Sequence, residues 1–110
     1  MKVDLSYLRE MSGGNQSLVL EMIDIFKSQV KEFTEGLETH YEKKEFEQLG
    51  KLAHKAKSSV AVMGMKEVAD QLKELEILAQ EGKEVDRYES MINEFLEMSQ
   101  LAIQELENMN

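Results

Sequence analysis

With 110 residues, the chain is long enough for one compact domain, taken as residues 1–110, and too short for two. It has no proline and no cysteine and is rich in Leu, Glu, Lys, Met and Ala, a vocabulary that favours helices and excludes a disulfide framework, a thiolate metal site and a cysteine nucleophile. A net charge of -9 repels nucleic-acid phosphates and anionic lipid, and no run approaches the roughly 20 apolar residues of a membrane span, so the expectation is a cytoplasmic protein whose partners are other proteins.

The first predicted helix is short, from Asp4 as N-cap to about Met11, and Ser12-Gly13-Gly14 breaks it. Asn15 can cap the next segment, where Val19, Ile23, Phe26, Val30, Phe33, Leu37 and Tyr41 recur at spacings of three and four; this predicts one long amphipathic helix to about Lys43. A third helix is expected from Lys44, with Phe46, Leu49, Ala53, Ala56, Val60 and Met63 on its apolar stripe and Gly64 as its stop. A fourth runs from Lys66 to Glu81 through Val68, Leu72, Leu75 and Ala79, and Gly82 ends it. From about Val85 the last carries Tyr88, Ile92, Phe95, Ala102, Leu106 and Met109, fraying towards Asn110.

Long amphipathic helices joined by short connections fold back as antiparallel neighbours, because each has a stripe to bury. The expected fold is therefore all-α: an up-down antiparallel four-helix bundle with a short extra N-terminal helix. Leu18, Met22 and Ile25 lie off the main stripe of the long helix and need a second partner, either the short first helix or a docking protein. Charge is unevenly spread. No acidic residue falls between Glu47 and Glu67, while Lys51, Lys55, Lys57 and Lys66 do, together with His54.

At 100° per residue the apolar positions of the third helix cluster within about 50° of their mean direction, and His54 lies about 130° away. His54 is thus expected to face solvent rather than the core. Its helix-surface neighbours are Glu47, Gly50, Lys51, Lys57, Ser58 and Ala61. Gly50, Ser58 and Ala61 are small enough to leave the ring open to another active site, and Lys57 sets an ammonium one turn away, a pattern suited to receiving an anion. Neutral imidazole is a nucleophile at neutral pH without a separate base, and phosphoryl transfer needs mainly positioning and charge neutralisation. Lys57 with a hydroxyl or amide donor suffices as this chain's share.

Other chemistries lack their residues. A di-metal bundle needs Glu-x-x-His pairs, but Leu37 precedes His40 by three and Lys51 precedes His54 by three. Gly13-Gly14 has no phosphate-loop lysine, so it is read as a turn. His40 has no lysine cluster around it, and the methionines fall mainly in helical stripes as core filler.

The stretch Leu52-Ala53-His54-Lys55-Ala56-Lys57-Ser58-Ser59, with Gly64 and then Leu72, Leu75 and Glu76, resembles the signature of histidine-containing phosphotransfer (HPt) domains. That signature has a His-x-x-Lys-Gly-Ser core, a glycine ten residues after the histidine and a Leu-Glu pair about twenty on. The resemblance extends over nearly the whole chain, including the Gly-Gly-Asn break. It implies that His54 is phosphorylated, that Lys57 steadies the phosphoryl group and that Gly64 closes the helix. Ser58 departs from the usual glycine, and Met65 from the usual alanine.

The resemblance further implies a phosphorelay intermediate that exchanges a phosphoryl group with receiver-domain aspartates. It is not expected to phosphorylate itself from ATP. Expected partners are response-regulator receiver domains and a hybrid sensor histidine kinase, meeting the chain as a monomer. No cofactor is expected on this chain, with magnesium and the acceptor carboxylate on the receiver. Docking is expected beside His54, with Leu18, Met22, Ile25, Gly50, Lys51 and Ala61 as candidates. The alternative is a non-phosphorylated helical adaptor or dimerisation bundle.

Overall fold

A computed structural model describes residues 3–108. The elements are α1 (Ser6–Met11), α2 (Gln16–Glu42), α3 (Phe46–Val62), α4 (Lys66–Glu81), a 3-10 turn at Val85–Arg87 and α5 (Tyr88–Asn108). The fold is all-α, as the periodicity predicts. Expected residues Met109 and Asn110 lie outside the described residues. At 1.5 Å per residue α2 is about 40 Å long, so it runs the full 42 Å of the long axis and serves as the spine of the molecule.

Cross-helix pairs fix the directions. Ser59 meets Gln29 and Leu52 meets Gly36 between α3 and α2; His54 meets Glu76 and Gly50 meets Ala79 between α3 and α4. Gln71 meets Glu94 between α4 and α5, and Lys27–Glu107 and Tyr41–Glu89 link α2 to α5. In each pair with two such links, numbers rise along one helix as they fall along the other, so neighbours are antiparallel and α2 to α5 close into a bundle.

The core follows the predicted stripes, with Leu37, Leu49, Ala53, Ala56, Val60, Leu75 and Ala102 fully buried. Phe33, Tyr41 and Phe46 are only half-buried because they lie where the stripe meets the surface. Two polar residues also sit inside. Thr34 donates to the Val30 carbonyl at 2.8 Å, whereas the Ser99 hydroxyl has no hydrogen-bond partner. Tyr88 packs edge-on against Phe46 and donates to the Leu78 and Lys83 carbonyls, tying the α4–α5 turn; burial pushes its phenol above the ordinary value.

Four of the helix ends use one device. Beyond the last turn of α1, α2, α3 and α4, paired backbone bonds run back to the helix from Gly13 and Gly14, Lys44 and Glu45, Gly64 and Met65, and Gly82 and Lys83. This geometry needs a left-handed residue, which glycine supplies at three ends, while Lys44 takes φ 60 at the fourth. There the His40 carbonyl accepts from the Glu45 amide at 2.8 Å and the His40 Nδ1 meets the Glu45 carboxylate at 3.0 Å, a two-way clip that holds the turn. Lys44→Gly is accordingly expected to stabilise the fold by about 1 kcal/mol through relief of the Cβ clash. A urea titration reads this as a raised midpoint with unchanged slope, and a lowered midpoint would refute it.

Gly64 does more than stop α3. The Asp4 amide donates to the Met63 carbonyl at 3.0 Å, and the Asp4 backbone lies where a Cβ on Gly64 would stand. The segment before α1 is thereby seated on the α3–α4 corner with Val3, Leu5 and Leu8 buried. Asp4 turns the chain into α1 by accepting from the Ser6 hydroxyl and amide, which hold its carboxyl below the usual range. The cleft at the seam of α1 with α2 and α5 is lined by Leu5, Arg9, Val19, Ile23 and Leu106. This packing leaves Leu18 and Ile25 exposed, so α1 does not cover them.

Candidate functional site

His54 stands on the outer face of α3, between the fully buried Ala53 and Ala56, with its side chain 57% exposed. A 3.6-residue period with those two positions turned inward directs His54 to solvent. Glu76 reaches it from α4: the carboxylate Oε1 lies 3.1 Å from His54 Nδ1 and 3.6 Å from Lys57 Nζ. An ionised carboxylate only accepts, so Nδ1 is the donor and the lone pair of the neutral ring is on Nε2. The Glu76 side chain is only 16% exposed, which limits solvent screening; the lysine offsets its charge and the neutral ring donates a hydrogen bond to it.

Nε2, the ring nitrogen that Glu76 does not engage, is therefore the nucleophilic one. A carboxylate behind Nδ1–H can also stabilise the positive charge that the ring gains when Nε2 forms a bond. Lys57 is partly buried at the edge of the apolar stripe and parked on Glu76, within one helical turn of the ring.

The other predicted residues divide. Ser58 is exposed and its hydroxyl turns back to the His54 carbonyl at 3.4 Å, the outer limit of a hydrogen bond, rather than towards a free ring edge. Lys51 is exposed and pairs with Glu47 at 3.6 Å within its own helix, and Ala61 is exposed. Gly50 corrects its expectation. Instead of opening space beside the imidazole it is buried under α4, with the Glu76 carbonyl and Ala79 against it, so it belongs to no exposed docking face. The lysine island is acid-free only along the sequence, because α4 inserts Glu76 into it. Glu76 had appeared in the sequence only as half of a Leu-Glu pair, 22 residues from the histidine it contacts.

Beside His54 an open groove of about 600 Å³ runs along the seam of α2 and α3. Met22, Ile25, Phe26, Phe33 and Val62 form its apolar wall, with Gln29, Glu32, Lys55, Ser58 and Ser59 as polar lining. Two of the predicted docking residues, Met22 and Ile25, line the same groove as the histidine, towards its far end; Leu18, Lys51 and Ala61 are exposed but do not line the groove. Ile25 is 51% exposed, a large apolar side chain left in water at the rim. The Ser59 hydroxyl donates to the side-chain amide oxygen of Gln29, Oε1, at 2.7 Å and bridges the two helices.

His40 has a similar carboxylate contact through Glu45, but it sits in the α2–α3 turn with no lysine ion pair, so its contact is explained by the turn. Among the described residues no helix is long and apolar enough to cross a membrane.

A four-helix bundle with an outward histidine, backed by a carboxylate and an ammonium, presents a nucleophilic ring on an open helix face. Residues 21–109 match the Hpt domain family, and the chain belongs to it. Its function is therefore histidine phosphotransfer in phosphorelay signalling, as an intermediate rather than a kinase, and the family implies interaction with the receiver domains of two-component systems. The match begins inside α2, so α1 and the Gly-Gly-Asn break lie outside it. No curated protein and no solved structure matches the chain.

Proposed function

We propose that His54 accepts a phosphoryl group on Nε2 from the aspartyl phosphate of a receiver domain and returns it to the aspartate of another. The Nε2 lone pair attacks phosphorus in line, the bond from phosphorus to the aspartate oxygen breaks, and the aspartate leaves as a carboxylate. The ring keeps its Nδ1 proton and becomes cationic, with Glu76 facing that charge. Lys57 leaves Glu76 for the phosphoryl oxygens. The reverse transfer follows the same steps backwards, which suits a relay because neither direction needs a further proton acceptor. Magnesium is assigned to the receiver. The hybrid sensor kinase as first donor, a monomeric state and a cytoplasmic setting belong to the same proposal.

The carrying observation is the placement of the ring, with Nδ1 on Glu76 and a side chain 57% exposed beside a largely apolar groove. Met22 and Ile25 are assigned to receiver docking in that groove. The test is incubation with a phosphorylated receiver domain. An acid-labile, alkali-stable label is expected on the wild type and none on His54→Gln; label unchanged in that variant would remove His54 from the site.

Lys57→Ala is expected to slow transfer about tenfold, because the phosphoryl charge loses its ammonium. Its effect on stability should stay within about 1 kcal/mol, the range of a partly exposed ion pair. Time courses at saturating receiver check the first figure, and wild-type rates would end the role given to Lys57.

A further inference from the structure

At Gly50 α3 and α4 pack closely beneath the site. It is buried one turn before His54, and a Cβ added there would stand 3.2 Å from the Glu76 carbonyl oxygen, 3.1 Å from Gln80 Cγ and 3.5 Å from Ala79 Cβ. Gln80 is a flexible, exposed side chain and can step aside. The Glu76 carbonyl cannot, because it belongs to the backbone of α4, so any side chain at position 50 must push that helix outward by a few tenths of an ångström.

The residue pushed is the one whose carboxylate holds the ring. Glu76 Oε1 is 3.1 Å from His54 Nδ1 and 3.6 Å from Lys57 Nζ, and a hydrogen bond of this kind weakens steeply as it lengthens. Glycine in the middle of a helix is also disfavoured relative to alanine. Its presence here needs a reason, and the close approach supplies one.

We propose that Gly50 is a positioning residue: its missing side chain sets the spacing of α4 so that Glu76 reaches His54 and fixes the Nδ1–H form of the ring. This deepens the phosphotransfer reading, on which only its kinetic arm rests. Gly50 acts without touching a phosphoryl group or a partner.

The test uses the full chain with ¹⁵N-labelled imidazoles. Gly50→Ala and Gly50→Val are made in the wild-type and in the Glu76→Ala backgrounds. Ring nitrogen shifts report the fraction of His54 protonated on Nδ1, whether or not any phosphoryl transfer takes place. That fraction should fall in Gly50→Ala and further in Gly50→Val, with the initial rate of labelling from a phosphorylated receiver falling in step, about fivefold for the alanine variant. In the Glu76→Ala background, where no acceptor remains for Nδ1–H, neither substitution at position 50 should change either quantity. Alanine is the better helix former, so Gly50→Ala decides the matter even where Gly50→Val fails to fold. A wild-type ring in Gly50→Ala, or equal effects in both backgrounds, would overturn the proposal. A ring that responds as expected in a protein that takes no label would leave Gly50 its role and remove the phosphotransfer mechanism instead.

Discussion

Glu76→Ala is expected to slow phosphoryl transfer to His54 by about 10- to 100-fold, the usual scale for deleting a group that faces charge developing at the reacting centre. Two losses combine. Nδ1–H no longer has a carboxylate at 3.1 Å to hold the ring in one tautomer and offset the charge it gains on phosphorylation. Lys57 also loses the oxygen on which it is held, so its ammonium is no longer stationed beside the ring. Glu76→Gln separates the two, since an amide oxygen can still accept from Nδ1–H but carries no charge. An intermediate rate for the glutamine variant is expected. Quenched time courses at saturating receiver, read together with melting curves, provide the measurement. Rates for Glu76→Ala within about twofold of wild type would leave Glu76 as surface decoration.

Gly64→Ala should destabilise the bundle by about 3 kcal/mol, whereas Gly82→Ala should cost only about 1 kcal/mol. Both glycines sit at nearly the same left-handed φ, 70 and 66, so the backbone penalty of a Cβ is shared. Their surroundings differ. Nothing lies within 4 Å of a Cβ at Gly82, while one at Gly64 would occupy the place of the Asp4 backbone. The segment before α1 must then lift, breaking the Asp4 amide bond to Met63 and exposing part of Val3, Leu5 and Leu8. The difference between the two variants in a denaturant titration isolates the contribution of this docked segment. Equal losses would mean that the segment adds nothing to stability.

The helices were legible because the Val19-to-Leu37, Leu49-to-Met63 and Val68-to-Ala79 stripes repeat at three and four over several turns, and glycine marks three of the stops. The α2–α3 turn carries no such mark. Its left-handed residue is Lys44, held by the His40–Glu45 clip, a contact that no propensity of lysine announces. The exposure of His54 followed from angle alone, since Ala53 and Ala56 had to point inward. The same geometry misplaced Gly50: an angle measured on one helix does not tell how near the next helix comes, and α4 comes close enough to bury it. Glu76 was hidden for a related reason. Its role depends on two antiparallel helices meeting at that level, which is a property of the assembled bundle.

His54 itself lines the groove at the seam of α2 and α3, so the ring and the groove form one continuous surface. In the proposed reading, a receiver that covers the ring necessarily shuts out any other. Donor and acceptor must then come in turn, giving ping-pong kinetics with the phosphorylated bundle as the released intermediate. An unphosphorylated receiver in excess becomes a competitive inhibitor of loading, so the relative abundance of the two partners sets the flux through the relay.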